Sequence, residues 1–143
     1  MKNVCILLII ITIIISIFSV RYISLKNDVS TVDKHNVFYE KYKDKNLKCA
    51  DIVTIVNKTI DNNENNRVEK DKKGKYINNN KDSIKIDIKM MDNEKIYDME
   101  TIYFSGMDNF FKFYENIEFK LNKIEYHEQT YKVKYLLFEQ ITV

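Results

Sequence analysis

The hydrophobic pattern begins with an unbroken block. Val4 to Val20 is a run of 17 residues without a charge, in which Thr12, Ser16 and Ser19 carry the hydroxyls. Tyr22, Ile23 and Leu25 extend it to roughly 22 residues, about 33 Å as a helix, against a hydrocarbon core of about 30 Å. The expectation is a retained transmembrane signal-anchor over residues 1–25, touching membrane lipid through residues 4–25. A cleaved signal peptide is the alternative, because Ile17 and Ser19 form a tolerable cleavage site. Bulky Phe18 and the length of the run favour retention. Residues 26–46 are highly charged, with scattered Val29, Val32, Val37, Phe38, Tyr39 and Tyr42, and read as a partly helical stalk. No Pro occurs and the first Gly is Gly74, so nothing forces a helix break between Val4 and Asn66.

The remaining chain, residues 47–143, reads as one small domain. Cys49, Ile52, Val53, Val56 and Ile60 fall on one helical face, which predicts an amphipathic helix from Leu47 to Asn65. Gly74 suits a tight turn, with Tyr76 and Ile77 as a short edge strand and Asn78 to Asp82 as a second polar turn. Ile84, Ile86, Ile88 and Met90 alternate with Lys85, Asp87 and Lys89, the pattern of a half-buried antiparallel strand. Asp92 to Glu94 reads as a turn before a strand at Lys95 to Asp98. A short helix from Met99 to Ser105 closes at Gly106, and a second, capped by Asp108, carries the stripe Met107, Phe110, Phe111 and Tyr114 as core. A terminal hairpin follows. Ile117, Phe119 and Leu121 share one parity and Ile124 and Tyr126 the other, which predicts a bulge near Asn122–Lys123. His127 to Thr130 turns the chain. Tyr131, Val133, Tyr135 and Leu137 alternate on the return, with Leu136 and Phe138 on the second face. The fold class is α+β: a transmembrane helix, an amphipathic helix packed on an antiparallel sheet of about four or five strands, and short inserted helices.

Composition narrows the functional classes. Lys (21), Ile (21) and Asn (16) dominate, Ala occurs once, and the bias is that of A/T-rich codons in a low-G+C bacterial genome. Apart from Lys2, all 23 Lys and Arg, like all 21 Asp and Glu, lie from Arg21 onwards, so the polar part is near neutral. That balance argues against a nucleic-acid partner, which requires clustered Lys and Arg. Lys2 before the apolar run is nearly balanced by Arg21, Lys26 and Lys34 with Asp28 and Asp33 after it. The expected orientation places the C-terminal domain outside the cytoplasm, the usual outcome for one anchor behind a short N-terminus.

Candidate chemistry is sparse. No glycine-rich phosphate loop, HExxH, zinc spacing or disulfide framework is present, and no catalytic, cofactor-binding or metal-ligating residues are assigned. Cys49 reads as a buried structural thiol. His35, in the stalk, and His127, in the hairpin turn, read as solvated residues. Asp61 to Asn65 alternates oxygen ligands but lacks the Gly and the bidentate Glu of a calcium loop. Asn57-Lys58-Thr59 is a sequon lying mid-helix. The best case for an enzyme is a pocket near Phe110, Phe111, Tyr114 and His127.

In layout, the apolar run Val4 to Val20, the helix Cys49 to Ile60 and the strands from Ile84 to Phe138 resemble type IV pilins and pseudopilins. That resemblance implies a filament or secretion-system subunit whose apolar helix packs against copies of itself. The leading expectation is a membrane-anchored extracytoplasmic binding or assembly module, not an enzyme, with a protein partner and homo-oligomerisation as an option. The pilin-like subunit and the secreted domain cut near Ser19 are the alternatives.

Overall fold

The computed structural model describes residues 2–91 and 95–141, with side chains from Ile6 onwards. The turn expected at Asp92 to Glu94 lies outside the described residues. Two compact units are present, residues 1–34 and residues 35–143, so the division falls inside the segment read as a stalk.

The first element, α1 (Lys2–Glu40), is a single helix of 39 residues. Its hydroxyls return to the backbone one turn earlier: Thr12 donates to Ile9 O at 2.7 Å, Ser16 to Thr12 O at 2.8 Å and Ser19 to Ile15 O at 2.8 Å. Each hydroxyl is thereby satisfied without solvent. The apolar side chains from Ile6 to Leu25 are exposed on every side of the helix. It is long and apolar enough to cross a membrane.

The chain breaks after Glu40 although neither Pro nor Gly is there to break it. Tyr42 N–H and Lys43 N–H bond to the carbonyls of Tyr39 and Glu40, three residues back, and Asp44 enters the left-handed region at φ 60°. Asp tolerates that conformation better than most side chains. What wins over the helix is strand pairing. β1 (Asn46–Lys48) pairs antiparallel with a later strand, and Leu47 is buried against Phe119 rather than starting a helix.

The next helix, α2 (Cys49–Asn65), begins where the Asp51 carboxylate accepts the Lys48 N–H at 2.9 Å. Its buried residues are Cys49, Ile52, Ile55, Val56, Thr59, Ile60 and Asn63. The expected edge strand at Tyr76 and Ile77 reduces to a bridge between Lys70 and Tyr76, across a turn at Gly74. Asp71 organises that turn by accepting the N–H groups of Lys73 and Lys75.

The sheet has five strands in the order β1-β4-β5-β2-β3, where β2 is Lys85–Lys89, β3 Ile96–Asp98, β4 Glu118–Tyr126 and β5 Val133–Gln140. It is mixed, not antiparallel as expected: β2 and β5 run parallel, Ile86 beside Leu136 and Ile88 beside Phe138. The other pairs are antiparallel. The β4–β5 hairpin enters between β1 and β2, and the side-chain period of two carries no information about strand direction. Between β3 and β4 lie α3 (Met99–Ser105) and α4 (Met107–Tyr114). Asp98 caps α3 by accepting the Thr101 N–H at 2.7 Å. The residue ahead of α4 is Gly106, at φ 92°, so Asp108 lies in the first turn and is not the cap.

Ile84, Ile86, Ile88 and Met90 are all buried, as their alternation predicts. The bulge on β4 falls at Asn122, between paired Leu121 and Lys123. A second irregularity skips Lys134, since Glu125 faces Tyr135 while Tyr126 faces Val133. It reverses the parity expected for β5: Val133, Leu136, Phe138 and Gln140 are buried, while Tyr135 and Leu137 lie on the half-exposed face. Phe110 is the buried member of the α4 stripe and Phe111 is exposed, with Met107 and Tyr114 packed at the rim of the core.

Candidate functional site

Two features stand apart from the folded core. One is the apolar surface of α1. From Ile6 to Leu25 its large apolar residues are between 42 and 71% exposed. A helix satisfies its own backbone polar groups, and Thr12, Ser16 and Ser19 bond back to it, so the uncharged stretch from Ile6 to Val20 offers an apolar solvent little that needs water.

The other feature is a polar junction in the second unit, formed by the last turns of α1, the loop before β2 and the hairpin loop between β4 and β5. Asn36 anchors it. Its Nδ2 donates to Tyr131 O at 2.8 Å, and its Oδ1 accepts the Val133 N–H at 2.9 Å. One turn on, the buried Tyr39 hydroxyl lies 3.2 Å from Thr59 Oγ1 and accepts from Asn62 Nδ2 at 2.9 Å. Burial pushes the Tyr39 phenol up from its ordinary value, against the opposing effect of those bonds. Tyr126 Oη donates to Glu40 Oε1 at 2.7 Å. Burial first, then that carboxylate, raises Tyr126 to about 12.

The two histidines meet here, 92 positions apart in the chain, and neither is the solvated residue that sequence suggests. His127 is 2% exposed, and its Nε2 lies 2.8 Å from the Ser83 carbonyl. A carbonyl only accepts, so that nitrogen carries a proton. His35 Nδ1 lies 3.2 Å from Asn36 Oδ1, and its ring packs on Tyr39 at 5.5 Å between centroids. Its Nε2 is buried and has no hydrogen-bond partner among the described residues. The Lys132 ammonium and the Asp82 carboxylate pair beside it at 2.5 Å. Burial lowers the His35 pKa; Asn36 opposes that, Lys132 adds to it, Asp82 opposes it and His127 adds to it. No sequence signal marks this junction, because its members come from widely separated segments of the chain.

Other sequence-stated candidates resolve into structure. Cys49 is fully buried, with Sγ 4.0 Å from the Phe110 carbonyl. Burial, then the nearby Glu115, pushes its thiol up to about 11. The acid and amide run at Asp61 to Asn65 is the end of α2, where Asn62 and Asn63 bond inward and Glu64 accepts from Lys70 and the Tyr76 hydroxyl. Phe110 and Tyr114 ring with Tyr97, whereas His127 bonds to Ser83, so the proposed aromatic pocket with His127 does not assemble. A cleft of about 600 Å³ between Asn80 and the hairpin is lined by Glu125, Tyr126, His127, Glu128, Gln129 and Lys134. Its walls mix both charge signs, with Glu125 and Glu128 against Lys134. Among the described residues no group of three or more His, Cys, Asp or Glu is arranged to hold a metal ion. No protein-family model, curated protein or solved structure matches the chain.

Proposed function

We propose that the chain is a membrane-anchored binding or assembly module: α1 crosses the bilayer once and carries the α+β unit outside the cytoplasm, where it meets a protein partner. One observation carries this reading, the exposure of every large apolar side chain from Ile6 to Leu25. Burying such side chains is worth about 1.5–3 kcal/mol each, and nothing within the unit buries them. The extracytoplasmic placement rests on the usual behaviour of single anchors, since Lys2 and the flanking charges Arg21, Lys26, Lys34, Asp28 and Asp33 nearly balance.

Alkaline carbonate treatment of membranes tests the anchor. The protein stays in the pellet if α1 spans the bilayer. Release into the supernatant, or a mature chain that starts near Val20, overturns the reading in favour of a secreted domain. Impermeant labelling of a cysteine introduced at the exposed Tyr131 reads the orientation.

A filament or secretion-system subunit is the second reading. In its favour, one unbroken helix carries the apolar segment and ends in turns that belong to the folded unit. Against it, α2 is a separate helix, so Cys49 to Ile60 does not continue the apolar one. Cysteines introduced between Ile6 and Leu25 crosslink into ladders in the cell if the subunits form a filament. Monomers alone sink that reading and leave the first intact.

A further inference from the structure

Asn36, in the last turns of α1, is held to the hairpin loop and the start of β5 by two directional bonds, and a histidine sits beside it. Val133 N–H fixes Asn36 Oδ1 as the acceptor end of its amide. The His35 nitrogen facing that oxygen, Nδ1, is therefore the one that carries the proton in the neutral ring. Nε2 is left as the bare nitrogen, buried and unpartnered among the described residues. A second proton has to go there, where no acceptor awaits it. The groups facing the ring are Lys132 and His127 from the hairpin loop, Asp82 from the loop before β2, and Asn36 and Tyr39 from its own helix. Asp82, the one carboxylate among them, is already engaged by Lys132. The hairpin loop is also strained: Tyr131 holds φ 56°, and its carbonyl is one of the two backbone groups gripped by Asn36. A bulky residue at positive φ is strained and persists only while its surroundings hold it.

We propose that this cluster is a proton-operated latch, in which protonation of His35 breaks the grip of Asn36 on the hairpin loop while the sheet and the buried Tyr39 stay in place. The sign follows from linkage. A buried histidine whose proton affinity is lowered in the docked state binds fewer protons docked than undocked, so docking is full above the ordinary histidine pKa and weakens as pH falls below it.

Hydrogen–deuterium exchange on the full chain in lipid nanodiscs, at about pH 7.5 and about pH 5.5 and corrected for intrinsic exchange, tests the latch. Protection of residues 131–133 is expected to fall severalfold at the lower pH, while Lys85–Lys89 keeps its protection. His35→Gln, which cannot titrate, is expected to hold the same protection at both pH values. Unchanged protection in the wild type overturns the latch, and so does an equal fall in His35→Gln. Lys132→Met serves where His35→Gln fails to fold: it frees Asp82 to pair with protonated His35, so the loss at low pH shrinks. A loss equal to that of the wild type there counts against the latch.

Discussion

Asn63 meets the backbone of Ile84 with both ends of its amide. Its Nδ2 donates to the Ile84 carbonyl at 2.8 Å, and its Oδ1 accepts the Ile84 N–H at 2.9 Å. Both residues are 0% exposed. The pair does what a neighbouring strand would do for the residue just before β2, and it ties the end of α2 to the start of that strand.

Asn63→Ala removes a donor and an acceptor at once and leaves two buried backbone groups unpaired. Each such group costs about 1–3 kcal/mol, so the variant is expected to lose about 2–6 kcal/mol. Asn63→Asp keeps the acceptor but turns a carboxylate oxygen toward a carbonyl, and is expected to be at least as damaging. Urea unfolding in non-ionic detergent, followed by circular dichroism, reads both. A change below about 0.5 kcal/mol for Asn63→Ala would mean that water takes over the two bonds.

Asp98 combines two jobs. It caps α3 through the Thr101 N–H and forms an ion pair with Lys75. Burial pushes its carboxyl upward, but Lys75 and the Thr101 bonds more than offset this, and the net shift is downward. The stability it contributes is therefore present above the ordinary carboxylate range and is lost as pH falls through that range toward its lowered folded value. Asp98→Ala is expected to cost about 1 kcal/mol at neutral pH, the usual cost of a lost cap, and to flatten the loss of stability below about pH 4. A melting curve at pH 7 and one at pH 3.5 compare the two proteins. An unchanged acid slope assigns that slope to other carboxylates.

The elements that could be read from sequence are those whose pattern is local. The alternation from Ile84 to Met90 gives β2 its buried face, and the change of parity between Leu121 and Ile124 gives the bulge at Asn122. The bulge at Lys134 escapes the same reasoning because β5 is apolar on both faces: Leu136 and Leu137 are adjacent, and either parity makes an acceptable strand. β1 is three residues long and has no period to detect; its existence is decided by Leu47 finding Phe119, a contact 72 residues away. The polar junction is the least legible part. Asn36 and His127 look like ordinary stalk and loop residues, and only the fold makes the backbone of Tyr131, Val133 and Ser83 their partners.

Gly74 is a position where a missing side chain matters. Its φ is 79°, and a Cβ there would sit 3.1 Å from the Phe104 ring. Phe104 is 60% exposed, so the ring can swing aside, and the backbone term dominates. Gly74→Ala is expected to cost about 1–2 kcal/mol, the penalty of an L-residue in the left-handed region. Gly74→Asn should lose less, since Asn visits that region more readily. If both variants cost the same, contact with Phe104 rather than φ sets the price.

The buried thiol of Cys49 gives a prediction with two independent readouts. With its pKa at about 11, only about one molecule in a thousand carries the thiolate at pH 8, against roughly a quarter for a free thiol near 8.5. Burial also hides the sulfur from reagent. In a Cys5→Ser background, a water-soluble maleimide at pH 8 is expected to label the folded protein at least about 100-fold more slowly than the urea-unfolded one. The second readout is stability at alkaline pH. The raised folded value means that the folded state keeps its thiol proton where the unfolded chain loses it. The contribution of Cys49 is thus whole below about pH 9 and declines as pH rises toward about 11. Tyr39, Tyr76, Tyr126 and Tyr135 are also raised from about 10, so their contributions decline from about pH 10 upward in both proteins, and the comparison rests on the difference between the wild type and Cys49→Ala. Cys49→Ala should start less stable, for loss of a packed sulfur, and should lose less between pH 8.5 and 10.5. Rapid labelling of the folded protein together with parallel pH curves would place the thiol in contact with solvent and remove it from the core.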